Sequence, residues 1–347
     1  MASTQAVPQR PVGSCQPSAA HHSARPSACR SDYVARVSAV LSLYGPNTAH
    51  PDGRFAPSPT GVLHLGNLRT ALLAWLFARA QSGRFLVRLE DLDSGRVRTA
   101  FYDEQLRDLV ALGLDWDGPV VRQSERTALY ERALRTLDTA GLVYPCWCTR
   151  AEIRNAASAP HGTPGEDRYP GTCRNLSEAE RAARTATGRP AAVRARVETA
   201  SVALHDRCAG ATVAPLDDFV LQRSDRAFAY NLAVVVDDHD QGVGEVVRGA
   251  DLLETTGRQV WLHGQLGLTP PSYIHVPMLL GSDGARLAKR HGAVTLADRA
   301  ALGEPPAAVR TALAASVGLC ERSDAPTLDE LIARSAELLT SANPATP

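Results

Sequence analysis

The stretch that most restricts how this chain can fold begins at Gly53 and ends at Leu89. Arg54-Phe55-Ala56 reads as a short strand running into Pro57-Ser58-Pro59-Thr60-Gly61, a turn that Pro and Gly enforce. Leu68, Leu72, Trp75, Leu76 and Arg79 then recur at helical spacing, which predicts an amphipathic helix over 66–80 with Asn67 near its start. Residues 84–89 follow as a strand in which Phe85, Val87 and Leu89 alternate, and amphipathic stretches over 99–112 and 124–140 read as helices. Strand, helix, strand and helix in this order predict an α/β fold: a parallel sheet joined by crossover helices.

The rhythm breaks over 141–190, which hold a cysteine cluster and a Gly/Pro/His loop at 158–172. Apolar runs resume at 191–197 and 228–236, 273–280 reads as a strand, and helix-like stretches occupy 306–319 and 327–340. Residues 1–52 are rich in Ala, Ser, Pro, Arg and His, with Asp32 the first acid. Such a segment buries too little apolar surface to offset chain entropy and is expected to be disordered, with 34–43 as a candidate short helix. Its Arg/Ser-rich, acid-poor character also fits an organelle transit segment; an untargeted start is the reading preferred here.

Lys+Arg and Asp+Glu both number 37, so net charge points to no particular partner, and a local basic groove for RNA stays compatible with it. No apolar run approaches the roughly 18 residues of a membrane helix, so a membrane partner is not expected. The seven cysteines and the lack of a signal-peptide pattern argue for a reducing cytoplasm. There, clustered cysteines more often hold a metal than form disulfides.

Two separated elements carry nucleotide chemistry. His64-Leu65-Gly66-Asn67 stands where a turn enters a helix: Gly admits close backbone approach, helix N–H groups attract anions, and an imidazole can donate to phosphate oxygens. Far downstream, Gly284-Ala285-Arg286-Leu287-Ala288-Lys289-Arg290-His291-Gly292 is a basic loop bounded by glycines. Taken singly, the first reads as a turn with a surface histidine and the second as a solvated basic turn.

Together they resemble the HIGH and KMSKS elements of class I aminoacyl-tRNA synthetases, at the chain positions those elements occupy. Arg286 stands in place of the first Lys, Lys289 matches the second, and Ala288 replaces the usual Ser. The stretch from Arg54 to His64 resembles the glutamyl branch, as do Val87-Arg88-Leu89-Glu90-Asp91-Leu92-Asp93, Phe228-Ala229-Tyr230-Asn231-Leu232-Ala233, Val236-Asp237-Asp238 and Val247-Arg248-Gly249-Ala250-Asp251. The chemistry agrees, because glutamate brings two carboxylates and one ammonium, and Arg, Tyr and Glu side chains suit these groups. Each residue also has an ordinary structural reading. Arg88 and Glu90 can be an exposed pair on a strand face, Tyr230 a core phenol, and Arg248 a surface cation before a turn.

Cys146-x-Cys148 and Tyr169-x-x-x-Cys173 supply three thiolates and a phenol, donors that suit tetrahedral Zn²⁺. Spacing alone leaves the fourth ligand open between Tyr169 and His161. The arrangement, after Tyr144-Pro145 and before Thr149-Arg150, resembles the zinc element of the glutamyl-queuosine tRNA(Asp) synthetases, truncated paralogues of glutamyl-tRNA synthetase.

That resemblance implies a class I Rossmann core over 53–300 with a zinc-containing acceptor-end insertion at about 141–215 and a short helical tail over 301–347. The roughly 57 residues after Arg290 are too few for an anticodon-binding domain. It implies His64 and Lys289 as catalytic groups, with His64, Gly66, Asn67, Arg286 and Lys289 binding ATP with Mg²⁺. Glutamate would lie against Arg54, Phe55, Ala56, Pro57, Ser58, Glu90, Tyr230 and Arg248, with Glu90 on its ammonium and Arg54, Tyr230 and Arg248 on its side-chain carboxylate. One structural zinc would sit on Cys146, Cys148, Tyr169 and Cys173. The expected reaction is tRNA-independent formation of glutamyl-adenylate, then transfer to the queuosine base of tRNA(Asp), by a monomer. The rival expectations are a short glutamyl-tRNA synthetase charging tRNA(Glu), a non-catalytic nucleotide- or RNA-binding paralogue, and an adenylate-forming ligase that acts on small molecules.

Overall fold

A computed structural model describes residues 51–157, 169–281, 283, 284, 287, 292 and 294–340. Within the insertion and basic loop, His161, Arg286, Ala288 and Lys289 lie outside these residues, as does most of the 1–52 segment.

The main sheet is built outward from β1 (Gly53–Phe55), which pairs in parallel with β2 (Phe85–Leu89) on one side and with β9 (Glu245–Gly249) on the other. Beyond β2 lies β3 (Val121–Arg122); beyond β9 lie β10 (Ser272–Val276), β6 (Ser201–Asp206) and β7 (Gly210–Pro215). All of these ladders are parallel except the β6–β7 hairpin at one edge. The apolar run expected to extend to residue 280 ends as a strand at Val276, because Pro277 has no N–H to continue the ladder. A second, antiparallel sheet of β4 (Val143–Cys146), β5 (Ala192–Ala195) and β8 (Val220–Gln222) stands apart. The stretch 141–215 thus contributes strands to both sheets.

Helix α1 (Leu65–Ala80) connects β1 to β2 and holds the centre of the core. Its apolar side chains are buried on more than the single stripe that the spacing predicts: Ala71, Leu73, Ala74, Phe77 and Ala78 are as covered as Leu68, Leu72 and Leu76. A helix apolar all round must be enclosed. The sheet covers one side, and α9 (Pro306–Ala315) and α10 (Leu328–Thr340) cover the other through Val309, Leu313, Leu331 and Leu339.

The remaining helices are α2 (Ala100–Ala111), α3 (Thr127–Thr139), α4 (Arg150–Ala157), α5 (Glu178–Ala186), α6 (Tyr230–Asp240), α7 (Leu253–Leu266) and α8 (Leu296–Ala301). α3, α6 and α7 share a second core built on Tyr130, Leu137, Leu232, Val235, Trp261 and Leu262.

The chain leaves β1 toward β2 and later returns to β9 on the opposite flank. This reversal opens a crevice beyond the carboxyl ends of β1 and β9, the place where open parallel sheets bind ligands. Arg54 and Arg248 stand one residue from those ends.

Candidate active site and metal centre

At the mouth of the crevice, His64 is the N-cap of α1. Its Nδ1 accepts the N–H of Asn67 at 3.2 Å, and the Asn67 Oδ1 accepts the N–H of His64 at 3.1 Å, a reciprocal capping box. Because Nδ1 is an acceptor here, a neutral imidazole carries its proton on Nε2. Burial holds the His64 pKa below its ordinary value, against the opposing pull of Asp251 and a backbone hydrogen bond. Capping therefore leaves a neutral N–H donor at the helix N-terminus. Gly66 makes room for this: a Cβ there would lie 2.9 Å from both Cε1 and Nδ1 of the ring.

The basic loop returns to the same place. The Leu65 N–H donates to Val294 O at 2.8 Å, and His64 bridges Thr295 in antiparallel fashion. On the loop's entry side, the Leu287 N–H donates to Leu279 O at 3.2 Å, and Leu279 borders Gly66. The residues that flank the basic loop thus meet the first turn of α1, and Arg286 and Lys289 themselves lie outside the described residues.

Deeper in, charged side chains from β1, β2, α6 and β9 converge. Arg54, Arg88, Arg248, Asp237 and Asp238 are all buried, and Glu90 is half-buried. Arg88 Nη1 meets Asp238 Oδ1 at 2.8 Å and its Nη2 lies 3.4 Å from Glu90 Oε1; Arg54 Nε lies 3.4 Å from Asp238 Oδ1. Arg88 is thus a fully enclosed cation rather than half of an exposed pair. Asp237 accepts from Gln123, Arg126 and Tyr130, which ties α3 and the segment before it to α6. Burial raises the pKa of Glu90, while Arg88 and Arg54 pull it back down.

The turn expected to lie against glutamate is pinned from both sides. Glu90 N–H donates to Pro57 O at 2.9 Å, and the Gln105 amide donates to Ser58 O and Gly61 O at 3.1 and 2.8 Å. Phe55 and Pro57 are buried, Ala56 is half-buried and Ser58 faces solvent.

Arg248 is held on three sides. Nε donates to His275 Nε2 at 3.0 Å, Nη2 to Thr256 Oγ1 at 2.7 Å, and Nη1 to the Tyr230 hydroxyl at 3.3 Å. Burial raises the Tyr230 pKa, so its hydroxyl keeps a proton to donate onward. Arg54, Glu90, Tyr230 and Arg248 are therefore gathered near the ends of β1 and β9, a set of groups whose chemistry suits a ligand bearing both carboxylate and ammonium groups. Sequence reasoning missed His275, Thr256 and Asp206, which support Arg248. Asp206 accepts from His275 Nδ1 at 2.6 Å.

In the smaller sheet, the Cys146, Cys148 and Cys173 sulfurs lie within 4.8 Å of one another. Cys148 Sγ is 3.6 Å from Cys173 Sγ, and the Tyr169 hydroxyl lies 3.4 and 3.9 Å from the sulfurs of Cys146 and Cys148. Four ligands around Zn²⁺ at ordinary bond lengths stand about 3.5–3.8 Å apart, so this spacing fits a tetrahedral ion. Tyr169 Oη also accepts the Cys173 N–H at 2.7 Å, which pulls its pKa down, but burial and the contact with Cys146 outweigh this and hold the phenol protonated until a cation draws the proton off. The Arg194 guanidinium lies 3.8 Å from the centre of the Tyr169 ring, and its Nε donates to Cys146 Sγ at 3.3 Å. Burial and the charge of Cys146 push the Cys148 thiol up to about 12, a strain that a cation at the centre relieves. Of the two candidate fourth ligands, Tyr169 is in place and His161 lies outside the described residues.

Residues 52–333 match the sequence model of the tRNA synthetases class I (E and Q), catalytic domain. The chain belongs to this family. This class I synthetase is 59% identical over 270 residues to a glutamyl-Q tRNA(Asp) synthetase of Nocardia farcinica, covering 78% of this chain and 86% of that protein. It is 49% identical over 292 residues to the protein of that name from Symbiobacterium thermophilum, covering 81% and 90%. Among solved structures it resembles a glutamate tRNA ligase of Elizabethkingia meningosepticum in complex with its amino acid, at a TM-score of 0.71 and 28% identity. That match covers 81% of this chain, which spans only 64% of the ligase. No helix among the described residues is long and apolar enough to cross a membrane.

Proposed function

We propose that this class I synthetase activates L-glutamate with ATP and transfers it to the queuosine base at the wobble position of tRNA(Asp). The observation that carries this reading is the gathering of Arg54, Glu90, Tyr230 and Arg248, in a chain whose relatives at 43–59% identity are named glutamyl-Q tRNA(Asp) synthetase.

In this reading Arg248, Tyr230 and Arg54 take the side-chain carboxylate and Glu90 takes the ammonium, while the Pro57–Ser58 turn lines the amino-acid backbone. An α-carboxylate oxygen attacks the α-phosphorus of ATP, the bond to the β,γ-diphosphate breaks, and glutamyl-adenylate and pyrophosphate result. No enzyme nucleophile takes part, so the protein contributes positioning and charge stabilisation. The His64 Nε2–H, Gly66 and the Asn67 side chain in the first turn, and Arg286 and Lys289 of the basic loop are assigned to the phosphates. Mg²⁺ enters with ATP as part of the substrate.

Cys146, Cys148, Tyr169 and Cys173 are assigned as ligands of one structural zinc, with Arg194 offsetting the excess negative charge of three thiolates and a phenolate. The organisation proposed is a core over 53–300, a zinc-bearing insertion at about 141–215 and a helical 301–347 segment, acting as a cytoplasmic monomer.

Glutamate-dependent ATP–pyrophosphate exchange by zinc-loaded protein without tRNA tests the activation step. Exchange that is abolished in Lys289→Ala, with folding intact, supports the reading; exchange driven by another amino acid, or none at all, contradicts it.

A further inference from the structure

Arg248 sits on β9, His275 opposite it in the parallel register on β10, and Asp206 at the end of β6 on the far side of β10. Three neighbouring strands thus set an acid, an imidazole and a guanidinium in a row beneath the cleft, and all three side chains are buried. Asp206 Oδ2 is 2.6 Å from His275 Nδ1, and His275 Nε2 is 3.0 Å from Arg248 Nε.

The row has a direction. Arginine has donors only, so the contact with it favours a lone pair on the imidazole nitrogen that faces it. That lone pair can also accept from the Thr256 hydroxyl 3.0 Å away, and the proton then lies on the nitrogen facing Asp206. His275 is then a neutral Nδ1–H tautomer. Burial and the neighbouring Arg248 charge hold it neutral, against the raising effect of Asp206. Nε of Arg248 is occupied by His275 and one N–H of Nη2 by Thr256. A guanidinium fixed at these points cannot rotate about its terminal bonds, and its remaining Nη1 edge is directed at the Tyr230 hydroxyl.

We propose that Asp206 and His275 are positioning residues for the amino acid: Asp206 selects the His275 tautomer, and that tautomer aims Arg248 at the substrate's side-chain carboxylate. The inference rests on the glutamate reading given above, and it locates recognition of the anionic side chain in the orientation of Arg248 as well as in its charge.

Asp206→Asn provides a near-isosteric test. Oδ1 of Asp206 accepts the N–H groups of Cys208 and Ala209 at 2.8 and 2.7 Å, so the Asn oxygen is held at that turn and its NH₂ faces His275. An NH₂ there requires a lone pair on Nδ1, which moves the imidazole proton to Nε2 and sets it against the Arg248 Nε–H. It also gives up the 3.1 Å bond that Oδ2 accepts from the His275 backbone N–H, which His275 can keep through Oδ1 at 3.3 Å.

The experiment uses the full, zinc-loaded chain in two arms. Imidazole ¹⁵N resonances of His275, assigned by their loss in His275→Gln, are expected to show a protonated Nδ1 and a bare Nε2; a protonated Nε2 in the unmodified protein overturns the proposal. In the exchange assay Asp206→Asn is expected to raise the glutamate KM about 10- to 100-fold, the range for losing a hydrogen bond to a buried charge, with the ATP KM within about twofold. An unchanged glutamate KM, or glutamate and ATP KM rising in parallel, overturns it. If Asp206→Asn does not fold, the ¹⁵N arm decides alone, since it needs no variant at Asp206. An unmodified protein that shows no glutamate-dependent exchange refutes the glutamate reading instead, and the tautomer is still read out.

Discussion

Gly66→Ala separates catalysis from folding in this protein. A Cβ at 66 would lie 2.9 Å from two atoms of the His64 ring, which makes no ordinary van der Waals contact possible, so the ring must turn away. Turning breaks the 3.2 Å bond from the Asn67 N–H and costs about 1 kcal/mol, as loss of an N-cap does. Replacing Gly with Ala within the first turn returns up to about 1 kcal/mol of helix propensity. The two effects offset, and Tm is expected to move by only a few degrees. Activity has no such compensation. The Nε2–H leaves the phosphate site, and removing one preorganised donor to developing charge lowers kcat about 10²- to 10³-fold. Glutamate-dependent ATP–pyrophosphate exchange measures kcat, and thermal melting measures Tm on the same sample. A variant that melts like the unmodified protein and exchanges at an undiminished rate would refute the role assigned to His64; a variant that fails to fold would refute the offset.

Three further outcomes follow from the same structure. Cys148→Ser is expected to lower bound zinc from about one per chain to near zero and to reduce Tm, read by metal analysis and melting; unchanged metal content removes Cys148 from the site. Because burial raises the Glu90 pKa, its ionised form is lost as pH falls at values above the ordinary carboxylate pKa of about 4.3. The glutamate KM should therefore climb on the acid side above that value, and the break should disappear in Glu90→Gln; an identical profile in the variant assigns the break to another group. Leu72→Ala, deep in α1 between the sheet and α9–α10, is expected to destabilise by about 2–5 kcal/mol in urea unfolding. A cost under about 1 kcal/mol contradicts the enclosed-helix account.

Local pattern carried much of this far. The Pro-rich turn, the helical spacing of Leu68, Leu72 and Leu76 and the alternation at Phe85, Val87 and Leu89 are short-range signals, and β1, α1 and β2 follow them closely. Arg54, Glu90, Tyr230 and Arg248 were recognisable from motifs, and the fold brings them close together. The cysteines likewise announce, by chemistry and spacing, a cluster that could hold a metal.

What stayed hidden depends on long-range pairing. His275 reads as one polar residue in an apolar strand, and Asp206 as an acid before a hairpin; 69 positions separate them, and only the parallel pairing of β10 with β6 sets them side by side. The β6–β7 hairpin lies inside the stretch that the family resemblance marks as a single insertion, yet both of its strands belong to the main sheet. In the same way, α9 and α10 look like a tail, although Val309, Leu313 and Leu331 close the core over α1.

The central claim concerns the acceptor as much as the amino acid. It is tested most directly by incubating the zinc-loaded protein with ATP, labelled glutamate and two RNAs, queuosine-containing tRNA(Asp) and tRNA(Glu), then locating the label by nuclease mapping. The account predicts label on the wobble-position nucleoside of tRNA(Asp), recovered in the anticodon fragment and absent from the 3′-terminal nucleoside. Label on the 3′-terminal ribose of tRNA(Glu), with none in the tRNA(Asp) anticodon, would contradict it.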